Sequence, residues 1–422
     1  MKKDVTDQLL DFINGSPSVY HTIANAEAML QGFEELKEGE LWQVRKGGSY
    51  YVKRGDSSLI AWHVPKKDYT SIRIAATHSD MPGFKLKAEP EMAVEDRYVC
   101  LNTEKYGGML MYTWFDRPLS IAGRIVTMEE GKPVTKLVNI DRDLLMIPSV
   151  AIHMNRKINE NFAPDAHIDT IPLFSGGKKD GTLKKLVAKA SGVKEDEILG
   201  SDLFVYCREK GRRWGAHDEF ISACGLDDRQ CVFATVQGFL QAKKASDMLS
   251  MCCIFHNEEV GSLTGQGADS TFLTDTLTRI NESLGVTDTQ FLAAVANGFM
   301  ISADNAHAVH PNHPEYADKT NRPYVNGGIV LKYNAAEKYT TNGESEAMFR
   351  DVCRRAGVPL QTFANRSDMA GGSTLGNIAN RHLSIRTVDI GLPQLAMHSA
   401  YETAGARDTE DLIKATKVFF EE

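Results

Sequence analysis

The stretch from Leu249 to Gly267, LSMCCIFHNEEVGSLTGQG, constrains the fold of this chain more than any other. Leu249 to Phe255 is a short apolar run that stops abruptly at His256, Asn257, Glu258 and Glu259. That is the pattern of a buried parallel strand ending at a polar crevice. Val260, Gly261 and Ser262 follow, then two more glycines, so the backbone turns tightly beyond the strand. Adjacent carboxylates at the carboxyl end of a buried strand are costly unless their charge is used. In an open α/β sheet that edge is where ligands bind. The working expectation is a metal site in which one glutamate is a ligand and its neighbour handles protons. Taken alone, the stretch fits a solvated Glu-Glu pair at a loop entrance at least as well.

A chain of 422 residues is too long for one ordinary core, which predicts two domains or one domain with a large insertion. Apolar content of 42% and charged content of 25% describe a soluble globular protein. The formal net charge of −8 argues against a nucleic-acid partner, which would favour a basic face. No apolar run has the length needed to cross a bilayer, so no membrane partner is expected. The opening MKKDVTDQLLDFI turns acidic and polar directly after its lysines, unlike a secretory signal. The seven cysteines are odd in number and form no CxxC pair, and Cys252 and Cys253 sit inside the apolar run as small hydrophobes. A reducing, cytoplasmic setting is expected.

Along the chain, residues 4–32 read as two helices separated by Gly15-Ser16-Pro17-Ser18. Ser49 to Val52 and Leu59 to Val64 flank Lys53-Arg54-Gly55-Asp56 as a hairpin. Ile72 to Ala76 is a strand running into Thr77-His78-Ser79-Asp80. From about Glu89 to Ala216 strand-like segments and basic loops dominate, among them Leu110 to Phe115, Ile121 to Met128 and Val134 to Ile140, with a helix at Leu183 to Ser191. Helical periodicity resumes after Cys224-Gly225-Leu226-Asp227-Asp228. Beyond the Leu249 strand come a helix through Phe272 to Leu284, then Phe291 to Val295 and Phe299 to Ser302 around a strand ending at Asp304. Gly328 to Tyr333, a helix across Glu344 to Ala356 and strand-like Ser384 to Ile390 complete the alternation. The predicted fold class is α/β, a largely parallel sheet flanked by helices with an inserted β-rich module. Residues 1–88 and 217–422 would form one discontinuous domain and residues 89–216 the insertion.

Five apolar-to-polar transitions carry candidate chemistry: His78-x-Asp80, Asp227-Asp228, Glu258-Glu259, Asp304 and Met397-His398. Imidazoles and carboxylates suit zinc and related divalent metals. An aspartate two residues from a histidine can accept its second ring N–H and fix the tautomer. A carboxylate can bridge two metals roughly 3.5–4 Å apart. Each signal has an ordinary alternative. Asp227-Asp228 also suits a helix N-terminus, Asp304 a turn cap and His398 a hydrogen-bonded core histidine. Among other candidates, Pro311 and Pro314 break the even spacing of His307, His310 and His313, which predicts a loop near the site rather than a third metal. Lys332 fits either a substrate carboxylate or solvent. Gly371-Gly372-Ser373-Thr374 lacks the P-loop lysine, so it reads as a turn or a substrate-lining loop.

Six stretches carry a family resemblance: THSDMPGFKLK from Thr77, YGGMLMYTWFDRPLSIAGR from Tyr106, IHMNRKINENFAP from Ile152, HNEEVGS from His256, SADNAHAVHPN from Ser302 and PQLAMHSAYE from Pro393. In this order they resemble the aspartyl aminopeptidase family of co-catalytic zinc exopeptidases, over nearly the whole chain. The resemblance implies two divalent metal ions per subunit, zinc first, with cobalt or manganese as alternatives. It implies His78 and Asp304 on one ion, Glu259 and His398 on the other, and Asp227 bridging them. Asp80 would orient His78, and Glu258 would act as general base toward a metal-bridged water. His153, in the insertion, would reach substrate across a dimer contact, and dimers would assemble into a dodecamer open to small peptides. Asp228 and Arg229 depart from the family, many of whose members carry Asn and then a hydrophobic residue.

The function expected is hydrolysis of the amino-terminal residue of peptides, with acidic residues the preference implied by the family. Two alternatives stand beside it: an idle, metal-stabilised scaffold, and a related amidohydrolase acting on acylated amino acids. An intact Glu258 argues against the scaffold. His153 and the motifs of the insertion argue for the peptidase.

Overall fold

The computed structural model describes residues 3–421; residues 1, 2 and 422, which the expected domain bounds include, lie outside the described residues. A nine-stranded sheet organises the chain. Its order is Glu34–Leu36, Ser49–Arg54, Ser58–His63, Met248–Phe255, Ser71–His78, Phe299–Ala303, Thr387–Gly391, Ile329–Tyr333 and Leu360–Ala364. The four strands from Met248–Phe255 to Thr387–Gly391 are parallel to one another, and the hairpin Ser49–Arg54/Ser58–His63 extends them antiparallel. All eight residues of Met248–Phe255 are buried, as expected for a strand covered on both faces. Helices Val5–Asn14, Val19–Met29, Leu226–Gln241, Gly343–Ala356 and Asp408–Phe420 pack Leu9, Ile23, Phe239, Phe349 and Phe419 on one face of the sheet. Phe272–Leu284, Asp288–Ala296 and Leu375–Ala379 cover the other with Phe272, Leu277, Val295 and Leu375.

A second sheet of six strands takes Gly83–Val94, Tyr98–Tyr106, Leu119–Glu129, Lys132–Asn139, Leu173–Gly176 and Gly200–Cys207. Its neighbours all run antiparallel. It has its own core around Phe84, Leu101, Trp114, Ile121 and Leu203. A third, five-stranded sheet joins distant parts of the chain in the order Arg212–Trp214, Phe220–Ala223, Glu402–Gly405, Pro393–Leu395 and Ala306–His307.

Two segments depart from the sequence reading. Leu110 to Phe115, expected as a strand, contains a single 3₁₀ turn at Met111–Trp114. Trp114 is fully buried and meets Phe84 edge-on at 5.3 Å, and the turn delivers that side chain where alternation along a strand would not. Phe291 to Val295 is the second half of helix Asp288–Ala296. Thr287 and Gln290 form a reciprocal capping box at its start, a local signal that outweighs the β-like apolar run.

The hairpin also fixes a titratable group. His63 is buried, stacks on Phe239 at 4.6 Å and pairs its Nδ1 with Ser49 Oγ at 2.8 Å. Burial, aided by the Lys244 charge, pushes its pKa down to about 3. In the unfolded chain a histidine takes its proton near pH 6.5, so between that pH and the folded value the unfolded state binds more protons. Stability from this group is complete above about pH 6.5 and falls with acid. Relative to His63→Phe, the native protein is expected to lose about 1.4 kcal/mol per pH unit below that point. Denaturant titrations at a series of pH values check this, and parallel pH profiles for the two proteins would refute it.

Candidate metal centre and cleft

Strand ends from distant parts of the sequence meet at one edge of the nine-stranded sheet. His78 closes strand Ser71–His78, Asp304 follows Phe299–Ala303, and the single turn Glu258–Val260 follows Met248–Phe255. The three strands are adjacent in the sheet, so their carboxyl ends place these side chains in one crevice. The five-stranded sheet supplies the rest. Asp227 lies just past Phe220–Ala223, and His398 sits in the turn between Pro393–Leu395 and Glu402–Gly405.

Asp227 is the hub. Its Oδ1 lies 3.4 Å from His78 Nε2 and its Oδ2 lies 3.3 Å from His398 Nε2. His78 Nε2 is 3.7 Å from Asp304 Oδ1, and His398 Nε2 is 3.4 Å from Glu259 Oε2. Ligand atoms of His78, Asp227 and Asp304, with Asp228, lie within 4.8 Å of one another, and so do those of Asp227, Glu259 and His398. Asp227 Oδ1 and Glu259 Oε1 are buried with no hydrogen-bond partner among the described residues. Orphaned carboxylate oxygens beside imidazole nitrogens are the donor set a divalent cation takes, and with two such groups sharing Asp227 these residues fit a metal centre with two positions.

Electrostatics point the same way. Burial opposes a charge on His78, yet Asp227, Asp304 and Asp80 raise its pKa well above the usual range. Burial also lifts Glu259 well above the usual carboxylate range, and the Asp227 charge adds to it. In Glu258, burial is opposed by His78 and reinforced by Asp304, Asp80 and Asp227, which brings the carboxyl up to about 8. So many acids sharing one crevice resist ionising together unless positive charge is supplied.

Asp80 differs in detail from the sequence expectation. The His78 Nδ1 faces the Asp80 backbone carbonyl at 3.1 Å, while the carboxylate stands at 3.5 Å. The carboxylate instead accepts from Tyr106 Oη at 2.6 Å and from the backbone N–H groups of Glu258 and Glu259 at 3.2 and 3.3 Å. It therefore holds the turn that carries both glutamates. Burial works against its charge, but His256 and His78 keep the carboxyl well below its usual range. Asp227-Asp228, which also suited a helix N-terminus, does open helix Leu226–Gln241 but with non-helical angles and a cis peptide bond between the two. Asp228 Oδ2 accepts the backbone N–H of His78 at 3.1 Å.

A cavity of about 310 Å³ opens over the cluster, with Asp227, Glu258, Asp304 and His398 on its floor. His307, Lys332, Tyr339, Phe363, Gly372 and Ser373 form its walls. Lys332, left open between substrate and solvent by the sequence, is 3% exposed and 3.3 Å from Asp304. Of the three evenly spaced histidines, His307 reaches the cavity, while His310 and His313 stand exposed beyond it. His153 is exposed and is not among the residues lining this cavity within one chain. Two buried acids escaped the sequence reading. Asp389 accepts from Thr340 N, Thr340 Oγ1 and Thr374 Oγ1 at 2.5–2.6 Å, tying two wall loops to a central strand. Glu402 accepts from the backbone of Asp227 and His398. Their signal was weak, a lone acid in an apolar strand and a terminal glutamate of a motif.

Comparison with known proteins agrees with the fold. The family described as aminopeptidase I zinc metalloprotease (M18) matches residues 12–420. A probable M18 family aminopeptidase 2 of Clostridium acetobutylicum is 46% identical over 98% of both chains. A chain in the cryo-EM structure of the Ape4 and Nbr1 complex superposes with a TM-score of 0.94 at 34% identity, covering 99% of this chain and 85% of its own. A chain of the S. cerevisiae mApe1 dodecamer gives 0.86 at 28% identity, covering 99% and 97%. With a matching family over almost its whole length and a metal-ligand crevice at the expected strand ends, the chain belongs to the M18 family of zinc metallo-aminopeptidases.

Proposed function

We propose that this metal-dependent aminopeptidase works with two divalent cations, zinc in the first instance, and removes single residues from the amino termini of small peptides. The observation that carries the reading is Asp227, whose two carboxylate oxygens face two different histidines. His78 and Asp304 would hold one ion with Asp227, and Glu259 and His398 the other. When bound, such a pair supplies Lewis-acid polarisation of the scissile carbonyl. The protein's own groups do the rest. Glu258 lines the cavity floor without being needed as a ligand, and its raised proton affinity suits a base that takes a proton from water and returns it to the leaving amine. Asp80 fixes the turn on which Glu258 rides. Lys332 and His307 bring nitrogen donors to the cavity wall, which supports acidic amino-terminal residues as the preference.

His153 would complete the cleft from a partner subunit, a reading supported by the exposed apolar side chains around it, Val150, Ile152 and Met154. The inserted unit, expected at residues 89–216, would be the dimerisation module. Its separate sheet and core support this, with edges nearer Gly83 and Cys207. The dodecamer known for the relative mApe1 is the assembly proposed here. The seven cysteines, all unpaired, fit the expected cytoplasmic setting, and no helix among the described residues is long and apolar enough to cross a membrane.

A panel of aminoacyl and N-acyl amino acid reporters, run on metal-stripped protein refilled with zinc, cobalt or manganese, tests the reading. Hydrolysis of aminoacyl reporters, fastest for Asp and Glu, is expected; activity confined to the N-acyl compounds would favour the amidohydrolase. Glu258→Gln should keep its metal and lose turnover by at least about 100-fold. Normal turnover with full metal content would remove Glu258 as the base. Asp389→Asn should loosen both wall loops and raise KM about tenfold with a smaller change in kcat. A fall in kcat alone, or unchanged kinetics, would show that these loops do not hold the substrate.

A further inference from the structure

Glu402 is 1% exposed at the start of strand Glu402–Gly405. It is absent from the three groups of side chains close enough to share an ion, yet both its oxygens are spoken for by residues of those groups. Oε1 accepts the backbone N–H of His398 at 2.7 Å, and Oε2 accepts the backbone N–H of Asp227 at 3.1 Å. One buried carboxylate thus spans two chain segments that come together only in the five-stranded sheet, through the pairing of Phe220–Ala223 with Glu402–Gly405.

The turn it holds needs holding. Ala396 and His398 both adopt left-handed backbone angles, with φ of 55° and 67°, a region that side chains with a β-carbon disfavour. Other contacts fix the rest of His398. Its Nδ1 faces Gly108 O at 2.5 Å, and its carbonyl accepts from Leu110 N at 3.0 Å. The main-chain N–H of His398 is left to Glu402. A carboxyl group offers one acceptor oxygen to each of the two N–H groups. A glutamine of the same shape offers one acceptor oxygen and turns an NH₂ group toward the other N–H.

We infer that Glu402 is a positioning residue for one of the two metal positions, the one formed by Asp227, Glu259 and His398. It sets the spacing between the bridging aspartate and His398 by holding the main chain of both. The position formed by His78 and Asp304 does not depend on it except through Asp227, since Asp228 and the Asp80 carbonyl hold His78 from the other side. This rests on the two-cation reading proposed above.

The test is zinc titration of metal-stripped native protein, Glu402→Gln and Glu402→Asp, followed by calorimetry and bound-metal analysis, with thermal unfolding of each metal-free protein alongside. Native protein is expected to bind two ions. Glu402→Gln should bind one with native affinity and the other at least tenfold more weakly, and excess zinc should restore the second ion and with it turnover. Glu402→Asp, whose shorter stem reaches only one N–H well, should fall between them, and it serves as the probe if Glu402→Gln does not fold. Equal weakening of both ions, or native affinity for both, would overturn the inference. So would a drop in metal-free stability with metal affinities unchanged, since that is the mark of a purely structural group. A native protein that binds a single ion would instead refute the two-cation reading itself.

Discussion

The structure depends on negative charge gathered at the edge of a buried sheet. Asp227, Asp228, Asp304, Glu258 and Glu259 share one crevice with His78 and His398. Carboxylates so close together cannot all ionise in an apolar surround without compensation. Much of the neighbouring architecture serves to hold them there. Backbone N–H groups are pinned by Asp80, Asp228 and Glu402, which hold the main chains of Glu258, Glu259, His78, Asp227 and His398. The family's metal chemistry is the physical answer to that arrangement, because a divalent cation converts mutual repulsion into shared coordination.

The inserted sheet is part of that arrangement rather than an appendage. Tyr106, at the end of strand Tyr98–Tyr106, donates to Asp80 and accepts from Asn257. Two residues on, Gly108 meets the ring of His398, and Thr113 accepts the N–H of Ala400. Gly107 has φ of +74°, and a β-carbon there would come within 3.1–3.2 Å of Glu259, so close passage of the insertion over the crevice requires glycine. The module that carries the exposed apolar loop around His153 is therefore mechanically joined to the metal crevice. Changes in the inserted sheet have a short route to the crevice through residues 106–113.

The lone aspartate of the apolar strand Thr387–Gly391 has a comparable part in the cleft. Asp389 anchors one loop through Thr340 and another through Thr374, and Lys338 ties the first loop to Gly371 of the second. The walls bearing Tyr339, Gly372 and Ser373 have little regular structure of their own. They are tied down by the Lys338–Gly371 bond and by one buried carboxylate on a central strand, where a site is more firmly placed than on loops alone.

The sequence by itself determined the fold class, most of the helices and strands, and the apolar-to-polar transitions from which the crevice is made. Those are local properties: period, burial pattern and turn residues act within a few positions of one another. Where two local signals competed, at Leu110 to Phe115 and Phe291 to Val295, the apolar pattern misled because burial of Trp114 and the Thr287 cap decided the outcome. Only tertiary structure decided which transitions meet. It brought Asp227 between two histidines, turned the Asp80 carboxylate from His78 toward the glutamate turn, and buried Lys332 against Asp304. It also gave roles to Asp389 and Glu402, whose partners lie up to 175 residues away. The reason is geometric. A strand end fixes where a side chain emerges, but the order of strands in a sheet fixes its neighbours, and that order is set by long-range packing.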